Sequence, residues 1–393
     1  SEFVRRSAAP LIKYRDSTQN EMAWSARIPK TKKMNGHRMM GWGASPLLLF
    51  FLVSTPGMEC SDPQAQAQTP AEERPQTQTP EPEEDTSAWH LPYFGFNAKG
   101  LLDVDVQTKY ANAFFDQSGA NIKQNMVVRV TAGTYSQLTF EKDWTSDRIE
   151  AWVNLQKRQG IRFIYVVNGN DTPVNQAAVI QKWLDAGAHF DFIEMMNEYY
   201  LTKYLKGDLS KPEVKEKVTP ENYVNTILPA FWKELDRFDL PYYIVFAPSK
   251  PGHKGANEAL DHWNEVVSDA VKHKFADRPI NATIHLYLRG SSDLNDFDYD
   301  QIDRVRKELP AGRHLAITEA GVIEPSLTSQ QSGETTISHY RNILKHLRAG
   351  DYLLDQILYN PGKKNNTAAL SPQSNGETMK GKAILQFIKT RLH

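Results

Sequence analysis

The chain has 393 residues, of which 40% are hydrophobic and 24% are charged, and its net charge is −1. This composition is typical of a globular protein with one large or two average domains, and the near-zero charge argues against a nucleic-acid partner. The single cysteine, Cys60, excludes an internal disulfide. We expect a monomer that uses no cofactor and no metal.

The first 60 residues are predicted to contain an export signal. A basic start at residues 34–40 precedes the apolar run of residues 46–53, which is too short to cross a bilayer as a mature helix. We expect a signal peptide over 34–60, and a disordered stretch of added sequence or an over-extended start over 1–33. Cys60 is a candidate lipid anchor, although Glu59 is a poor residue at a lipoprotein junction. The protein is therefore expected to be secreted, periplasmic or on the outer surface, as a lipoprotein if Cys60 is modified.

Residues 61–87 consist largely of Gln, Pro, Thr and Glu. Such a segment buries too little apolar surface to offset its ordering entropy, so we expect a disordered linker. One folded domain is predicted over residues 88–393, and removal of the linker should leave that domain intact.

Apolar runs alternate with amphipathic segments from Tyr93 onward. The predicted strands are Tyr93–Asn97, Met126–Val130, Phe163–Val167, Phe192–Met196, Tyr242–Ala247, Thr283–Tyr287, Leu315–Thr318 and Gln356–Tyr359. The predicted helices run from Ser146 to Gly160, from Thr172-Pro173 to Gly187, from Thr219-Pro220, from Glu334 to Ala349, and from about Met379 to the C-terminus. This alternation predicts an α/β fold, the (β/α)8 TIM barrel. A doubly wound open sheet is the alternative, although no Gly-rich phosphate loop follows the first strand.

Two glutamates, Glu198 and Glu319, each follow a predicted buried strand and precede a loop. In a (β/α)8 barrel the active site lies at these C-terminal strand ends. Two carboxylates there suit glycoside hydrolysis, in which one protonates the leaving oxygen and the other attacks the sugar or activates water. Either glutamate alone could be a solvated loop residue, and the pair favours catalysis. Most other strand ends also carry hydrogen-bonding side chains: Asn97, Arg129, Asn168, Asn197, Lys250, His285, Tyr287, Tyr359 and Asn360.

This pattern resembles clan A of the retaining glycoside hydrolases, the superfamily that includes cellulases, mannanases and xylosidases. The clan has Asn-Glu after strand four, Glu after strand seven, and often Arg after strand two and His-x-Tyr after strand six. The matching residues here are Asn197-Glu198, Glu319, Arg129 and His285-Leu-Tyr287, and the resemblance covers about residues 90–393. Tyr199 stands where many members have Pro, and Tyr359 stands where the clan usually has Trp. The resemblance therefore indicates the clan and no particular family.

The resemblance implies catalytic roles for Glu198 and Glu319. Glu198 would be the general acid/base, which must carry a proton near neutral pH. Glu319 would be the nucleophile, held in its ionised form by Arg129, and retention would require the two carboxyl groups to lie about 5–5.5 Å apart. Tyr287 would donate a hydrogen bond to Glu319.

Substrate binding is predicted for several further residues. Asn197 would bind the sugar 2-hydroxyl, and His285 would orient the substrate or a carboxylate; Arg129 and His285 could instead serve as structural polar groups. Asn97, Tyr199 and Tyr359 are further candidates at the predicted cleft. Other aromatic residues near it could stack on a sugar or pack in the core: Trp89, Tyr135, Trp144, Tyr200 and Tyr204.

Glu194 lies four residues before Glu198, so strand alternation places both on the same face. We expect a buried acid paired with a cation lower in the barrel. It could also compete as a catalytic group, but its deeper position in the strand ranks it below Glu198.

Cations in the predicted cleft loops suggest the class of sugar. Lys250, His253 and Lys254 follow strand five, and Arg289 follows strand six, in a chain that is nearly neutral. These residues could be ordinary solvated charges, as is the simpler interpretation for Lys363 and Lys364. They would also suit a sulfated or uronate-bearing polysaccharide or oligosaccharide.

Two other classes of function remain open from the sequence. A barrel could bind carbohydrate without cleaving it, although the two glutamates argue against this. A metal-dependent barrel lyase or hydrolase would need several ligands at strand ends, where Glu198, His285 and Glu319 are the widely spaced candidates.

Overall fold

A computed structural model of the chain describes residues 93–101, 103–201, 219–248, 257–324, 326–361 and 367–391. The predicted signal peptide, Cys60, the linker, Trp89 and Tyr204 lie outside the described residues. So do Lys250, His253, Lys254, Lys363 and Lys364.

Eight parallel strands form a closed barrel in which each strand pairs with its neighbours in sequence and β8 closes on β1. The strands are β1 (Tyr93–Asn97), β2 (Met126–Val130), β3 (Arg162–Val166), β4 (Phe190–Met195), β5 (Tyr242–Val245), β6 (Ile280–Leu288), β7 (Leu315–Val322) and β8 (Tyr352–Asp355). The (β/α)8 prediction is confirmed, and the open sheet is excluded because the barrel is closed.

Helices separate the strands in the order that this fold requires. They are α1 (Val104–Asp116), α2 (Ser146–Gln159), α3 (Pro173–Asp185), α4 (Leu228–Leu235), α5 (Glu258–Asp269), α6 (Asp300–Glu308), α7 (Ser329–Leu344) and α8 (Met379–Arg391). Shorter elements are Ala120–Lys123, Thr134–Leu138, Glu141–Asp143, Pro220–Asn222, Tyr223–Ile227, Asp236–Phe238, Ala270–Lys274, Ser291–Asn295 and Pro372–Ser374, with a small hairpin of Leu370–Ser371 and Gly376–Glu377. Across the described ranges, none of the helices has both the length and the apolar character needed to span a bilayer.

The barrel interior is layered because strand residues alternate between the inner and outer face. The lower inner layer is apolar and consists of Val127, Ile164, Phe192, Tyr243, Ala316, Tyr352 and Leu354. Two residues further along their strands, the same face carries Arg129, Glu194 and Thr318, all fully buried. The polar layer thus lies directly above an apolar floor, toward the C-terminal strand ends.

Three predicted boundaries are wrong in informative ways. The last strand is Tyr352–Asp355 and not Gln356–Tyr359. Asp355 is a charged residue that suggests a loop in the sequence, but its side chain is buried and paired with Lys380 at 2.7 Å, so it can belong to the strand. Strand β7 runs to Val322 and not only to Thr318, because its pairing with β6 continues past a register shift, so Glu319 lies within the strand and does not follow it. Helix α7 begins five residues before Glu334, at a capping box formed by Thr328 and Gln331, and it ends at Leu344.

Candidate active site

Arg129 is at the centre of the polar layer, and all five of its N–H donors are used. Its Nε and one terminal nitrogen bind the two oxygens of Glu194 at 2.6 and 2.8 Å. The remaining donors reach Asn197 Oδ1 at 2.7 Å, Asn97 Oδ1 at 2.8 Å and Glu319 Oε1 at 2.5 Å. One guanidinium therefore joins strands β1, β2, β4 and β7 and fixes the positions of two carboxylates.

Glu319 lies within β7 and accepts hydrogen bonds on both carboxylate oxygens. Arg129 binds Oε1, and the Tyr287 hydroxyl donates to Oε2. Burial and the charge of Glu319 raise the pKa of Tyr287 well above its usual value, so the hydroxyl keeps its proton. The backbone of Gly133 passes close to the same carboxylate, since a Cβ at that position would lie 3.6 Å from Oε1.

Glu198 follows β4 on a bend that few residues adopt. Its φ is 42° and that of Met196 is 74°, both in the left-handed region that is uncommon outside glycine. Such conformations are concentrated at functional sites, where the surrounding structure must hold them. The bend leaves the Glu198 side chain 18% exposed, whereas that of Arg129 is fully buried. Tyr200 donates a hydrogen bond to Glu198 Oε1 at 3.4 Å.

His285, on β6, lies beside both glutamates. Its Nδ1 is 3.3 Å from Glu198 Oε1, an ion-pair distance without hydrogen-bond alignment. Its Nε2 is 3.1 Å from Thr318 Oγ1 and 3.9 Å from Glu319 Oε1. Burial alone would lower the pKa of His285, but the carboxylates of Glu319, Glu194 and Glu198 raise it to about 10. The imidazole is therefore a cation at neutral pH.

The two asparagines of the site differ in what they still offer a ligand. Asn97 donates to the backbone oxygens of Thr318 and Asp355, each at 2.7 Å, and accepts from Arg129, so its polar atoms hold the barrel together. Asn197 accepts from Arg129 through Oδ1, while its buried Nδ2 has no hydrogen-bond partner. An unmet buried donor beside Glu198 costs free energy and is a feature that needs an explanation.

Other predicted site residues have contacts with residues outside this cluster. Tyr199 is buried against Tyr223, with ring centroids 5.6 Å apart, and Tyr359 stacks on Tyr110 at 6.1 Å. Trp144 packs edge-on against Trp183 in the core. Arg289 is exposed after β6.

Three residues of the site were not identified from the sequence. Gly133 has φ of 59° and brings backbone close to Glu319. The Gln137 side chain donates to the backbone oxygen of Asn197, and Thr318 joins His285 to the polar layer. The glycine after strand two was a usable signal, because glycine tolerates positive φ and close approach. Gln137 and Thr318 carry no pattern that separates them from ordinary polar residues.

The arrangement of groups suits acid–base and nucleophilic chemistry between Glu198 and Glu319. Both carboxylates lie within 4 Å of one imidazole, at 3.3 and 3.9 Å, and each has a different set of donors. Among the described residues, the group with spacing suited to a metal ion is Asp300, Asp303 and His346, which lie on α6 and just after α7 and include no member of this cluster.

Comparison with known proteins finds likeness in fold only. No family model and no curated protein matches the sequence. Among solved structures, a family 39 glycoside hydrolase from Bacteroides cellulosilyticus WH2 is similar over 76% of this chain, with a TM-score of 0.49 and 12% identity; this chain spans 64% of its length.

Two further solved structures are similar. A chain from a structure of fungal beta-1,4-galactanases gives a TM-score of 0.48 at 13% identity, over 75% of this chain and 99% of that one. Orotidine 5′-phosphate decarboxylase from Pyrococcus horikoshii OT3 gives 0.38 at 12% identity, over 75% and 99%. A shared fold does not determine a reaction, so a function must be argued from the site itself.

Proposed function

We propose that this protein is a retaining glycoside hydrolase that cleaves β-glycosidic bonds in a polysaccharide or oligosaccharide. The observation that carries the proposal is the pair Glu198, just after β4, and Glu319, in the C-terminal half of β7, placed on either side of His285. Their surroundings differ in the way that two-carboxylate hydrolysis needs, since Glu319 binds a buried cation and Glu198 is the more exposed of the two.

In the first step, Glu319 attacks the anomeric carbon and Glu198 gives its proton to the departing glycosidic oxygen. The bond to the leaving group breaks as an ester bond to Glu319 forms. Arg129 and Tyr287 each hold one oxygen of Glu319, which fixes the plane of the attacking carboxylate. Asn197 Nδ2, the unmet donor beside Glu198, is the group that we assign to a sugar hydroxyl.

In the second step, Glu198 takes a proton from water, which attacks the same carbon and releases Glu319. Two inversions give net retention. The proximity of both carboxylates to one imidazole supports a close pair, for which about 5–5.5 Å is the spacing of retaining enzymes.

Two finer parts of the proposal rest on sequence alone. Export is proposed from the signal-like residues 34–60, with Cys60 as a candidate lipid anchor. An anionic glycan is proposed from Lys250, His253, Lys254 and Arg289, of which only Arg289 lies in the described part of the chain, where it is exposed.

A screen of neutral, sulfated and uronate polysaccharides, with product size as the readout, tests the function. We expect hydrolysis of at least one polymer by the wild type, with an anionic one preferred. The variants Glu198→Gln and Glu319→Gln should each lose on the order of 10²-fold or more in kcat while keeping the fold, as judged by circular dichroism.

The matched control is Glu221→Gln, which removes a surface carboxylate whose side chain is 49% exposed and lies against His262. It should hydrolyse the same polymer at the wild-type rate. Full activity in either catalytic variant would refute the assignment of the pair, and a neutral polymer as the sole substrate would refute the anionic glycan.

A further inference from the structure

Glu194 is a third carboxylate in the charged layer, and the proposed reaction does not use it directly. It lies on β4 four residues before Glu198, is fully buried, and binds Arg129 through both oxygens at 2.6 and 2.8 Å. Its Oε1 is also 3.4 Å from Thr318 Oγ1 and 3.9 Å from His285 Nε2. Glu194 thus contacts the two cations that stand beside the two catalytic carboxylates.

We infer that Glu194 is a positioning residue that sets which catalytic carboxyl holds a proton, acting through its contacts with Arg129 and His285. This inference rests on the proposed function, because it assigns Glu194 a role in the reaction of Glu198 and Glu319. Since Glu194 is fully buried and contacts Arg129 and His285, its effect is exerted through these two cationic neighbours.

The geometry of the Arg129 contacts depends on Glu194. A bidentate contact with Glu194 fixes the plane of the Arg129 guanidinium, and the three remaining N–H donors then point to Asn197, Asn97 and Glu319. A lysine has no such fork, so it could not make these contacts together. The position of the nucleophile therefore depends on a carboxylate on the opposite side of the guanidinium.

The charges of the cluster balance when Glu198 is protonated. Arg129 and protonated His285 supply two positive charges, and ionised Glu194 and Glu319 supply two negative ones. The cluster is neutral when Glu198 carries its proton, which is the state that a general acid requires. Without the charge of Glu194, the cluster would be neutral only when Glu198 is ionised. A net charge in a buried cluster costs free energy, so the neutral state of the cluster is favoured.

Other titratable groups face this layer and stay neutral. Tyr287 on β6 donates to Glu319, and Tyr200 donates to Glu198. Tyr223 packs beside β4, donates to the backbone oxygen of Met195, and has its pKa raised by burial and by the charge of Glu194. All three hydroxyls donate hydrogen bonds and so hold their protons, and the balance therefore depends on the two cations and three carboxylates.

The test is the variant Glu194→Gln, read in two independent ways. The titration of His285, followed by NMR of protein labelled at histidine, should fall from a pKa of about 10 by about one unit or more, because a buried neighbouring charge is lost. In the pH profile of kcat/KM, both limbs should move to lower pH by a similar amount, and kcat at neutral pH should fall more than KM rises.

Two further variants separate this role from a structural one. Glu194→Asp keeps the charge, so it should leave both limbs of the profile in place while lowering kcat. Asp351→Asn removes a fully buried carboxylate that binds Arg306 at 2.6 Å just before β8, and it should weaken the fold without moving His285 or the profile.

These measurements test the role of Glu194 whether or not the substrate screen finds a polymer that is hydrolysed. A lower kcat in Glu194→Gln at every pH, with both limbs and the His285 titration unmoved, overturns it. The inference is also overturned if His285 titrates below neutral pH in the wild-type protein. That measurement does not depend on the folding of any variant. If no glycoside is hydrolysed the proposed function fails, and the His285 titration alone then decides whether Glu194 controls the charge of the cluster.

Discussion

Arg129 shows how much of the site depends on one side chain. It is a buried cation bound by two carboxylates, and burial that would lower its pKa is outweighed by the charges of Glu194 and Glu319, which raise it. Replacing one partner of a buried ion pair leaves uncompensated charge in a low-dielectric interior, and that costs far more than the loss of a surface pair.

We therefore expect Arg129→Ala to lower the free energy of unfolding by about 3–5 kcal/mol, as measured by urea denaturation at neutral pH. The control is Arg304→Ala, which breaks an exposed pair with Asp298 and should cost at most about 1 kcal/mol. Equal costs for the two variants would contradict the account of Arg129 as the centre of the cluster.

At the same scale, the sequence indicated which residues gather around Arg129 and His285, but it did not give all of their contacts. The Asn-Glu pair, His285-Leu-Tyr287 and Glu319 could be found because strand ends of a barrel converge. The expectation that Arg129 would face Glu319 agrees with the 2.5 Å contact, and Glu194 is buried against a cation as expected. Spacing along one strand could not reveal that Asn97 is fully engaged, because its partners are on β2, β7 and β8.

At the scale of single elements, the helix N-caps Thr145 and Thr172 are the same residue type and differ in one hydrogen bond. Thr172 caps α3, and its hydroxyl oxygen accepts a hydrogen bond from the Asn175 backbone at 3.1 Å. Thr145 occupies the same position at the start of α2 but makes no capping bond through its side chain.

Thr172→Ala should accordingly cost about 1 kcal/mol of folding free energy, and Thr145→Ala should cost markedly less. Thermal unfolding of both variants beside the wild type measures the difference. If Thr145→Ala lost more folding free energy than Thr172→Ala, the capping hydrogen bond would not be the source of the stability that Thr172 contributes.

Element boundaries were hardest to predict where burial hides a polar residue. Asp355 ends β8 inside the protein, held by Lys380 and Tyr340, so the apolar pattern on either side of it did not locate the strand. The first five residues of α7 were left out of the predicted helix, yet Gly333 packs there against α8, where a Cβ would lie 3.1 Å from that of Ala383. Both errors arise because long-range contacts override a local pattern.

For the whole molecule, two buried histidines predict opposite slopes of stability with pH. His339 bonds Leu286 and Tyr299, and burial lowers its pKa to about 4. Between about 6.5 and 4 the unfolded chain binds a proton there that the folded chain refuses, so stability falls as pH falls. His285, with its pKa raised to about 10, stabilises fully below 6.5 and loses that contribution as pH rises toward 10.

The urea midpoint measured from pH 4 to pH 10 should therefore pass through a maximum. His339→Gln should flatten the acid side, and His285→Gln should flatten the alkaline side. If the acid side keeps its slope in His339→Gln, groups other than this histidine govern acid unfolding.

The pairing of Glu198 with Glu319 is tested most directly by the configuration of the glycosyl azide that each alanine variant forms from an activated β-glycoside. In Glu319→Ala, azide would attack once from the face of the missing nucleophile and give the α-azide. In Glu198→Ala, Glu319 would attack first and azide second, giving the β-azide. Opposite anomers from the two variants are the predicted result; the same anomer from both, or no azide product from either, would contradict the assignment of nucleophile and acid/base.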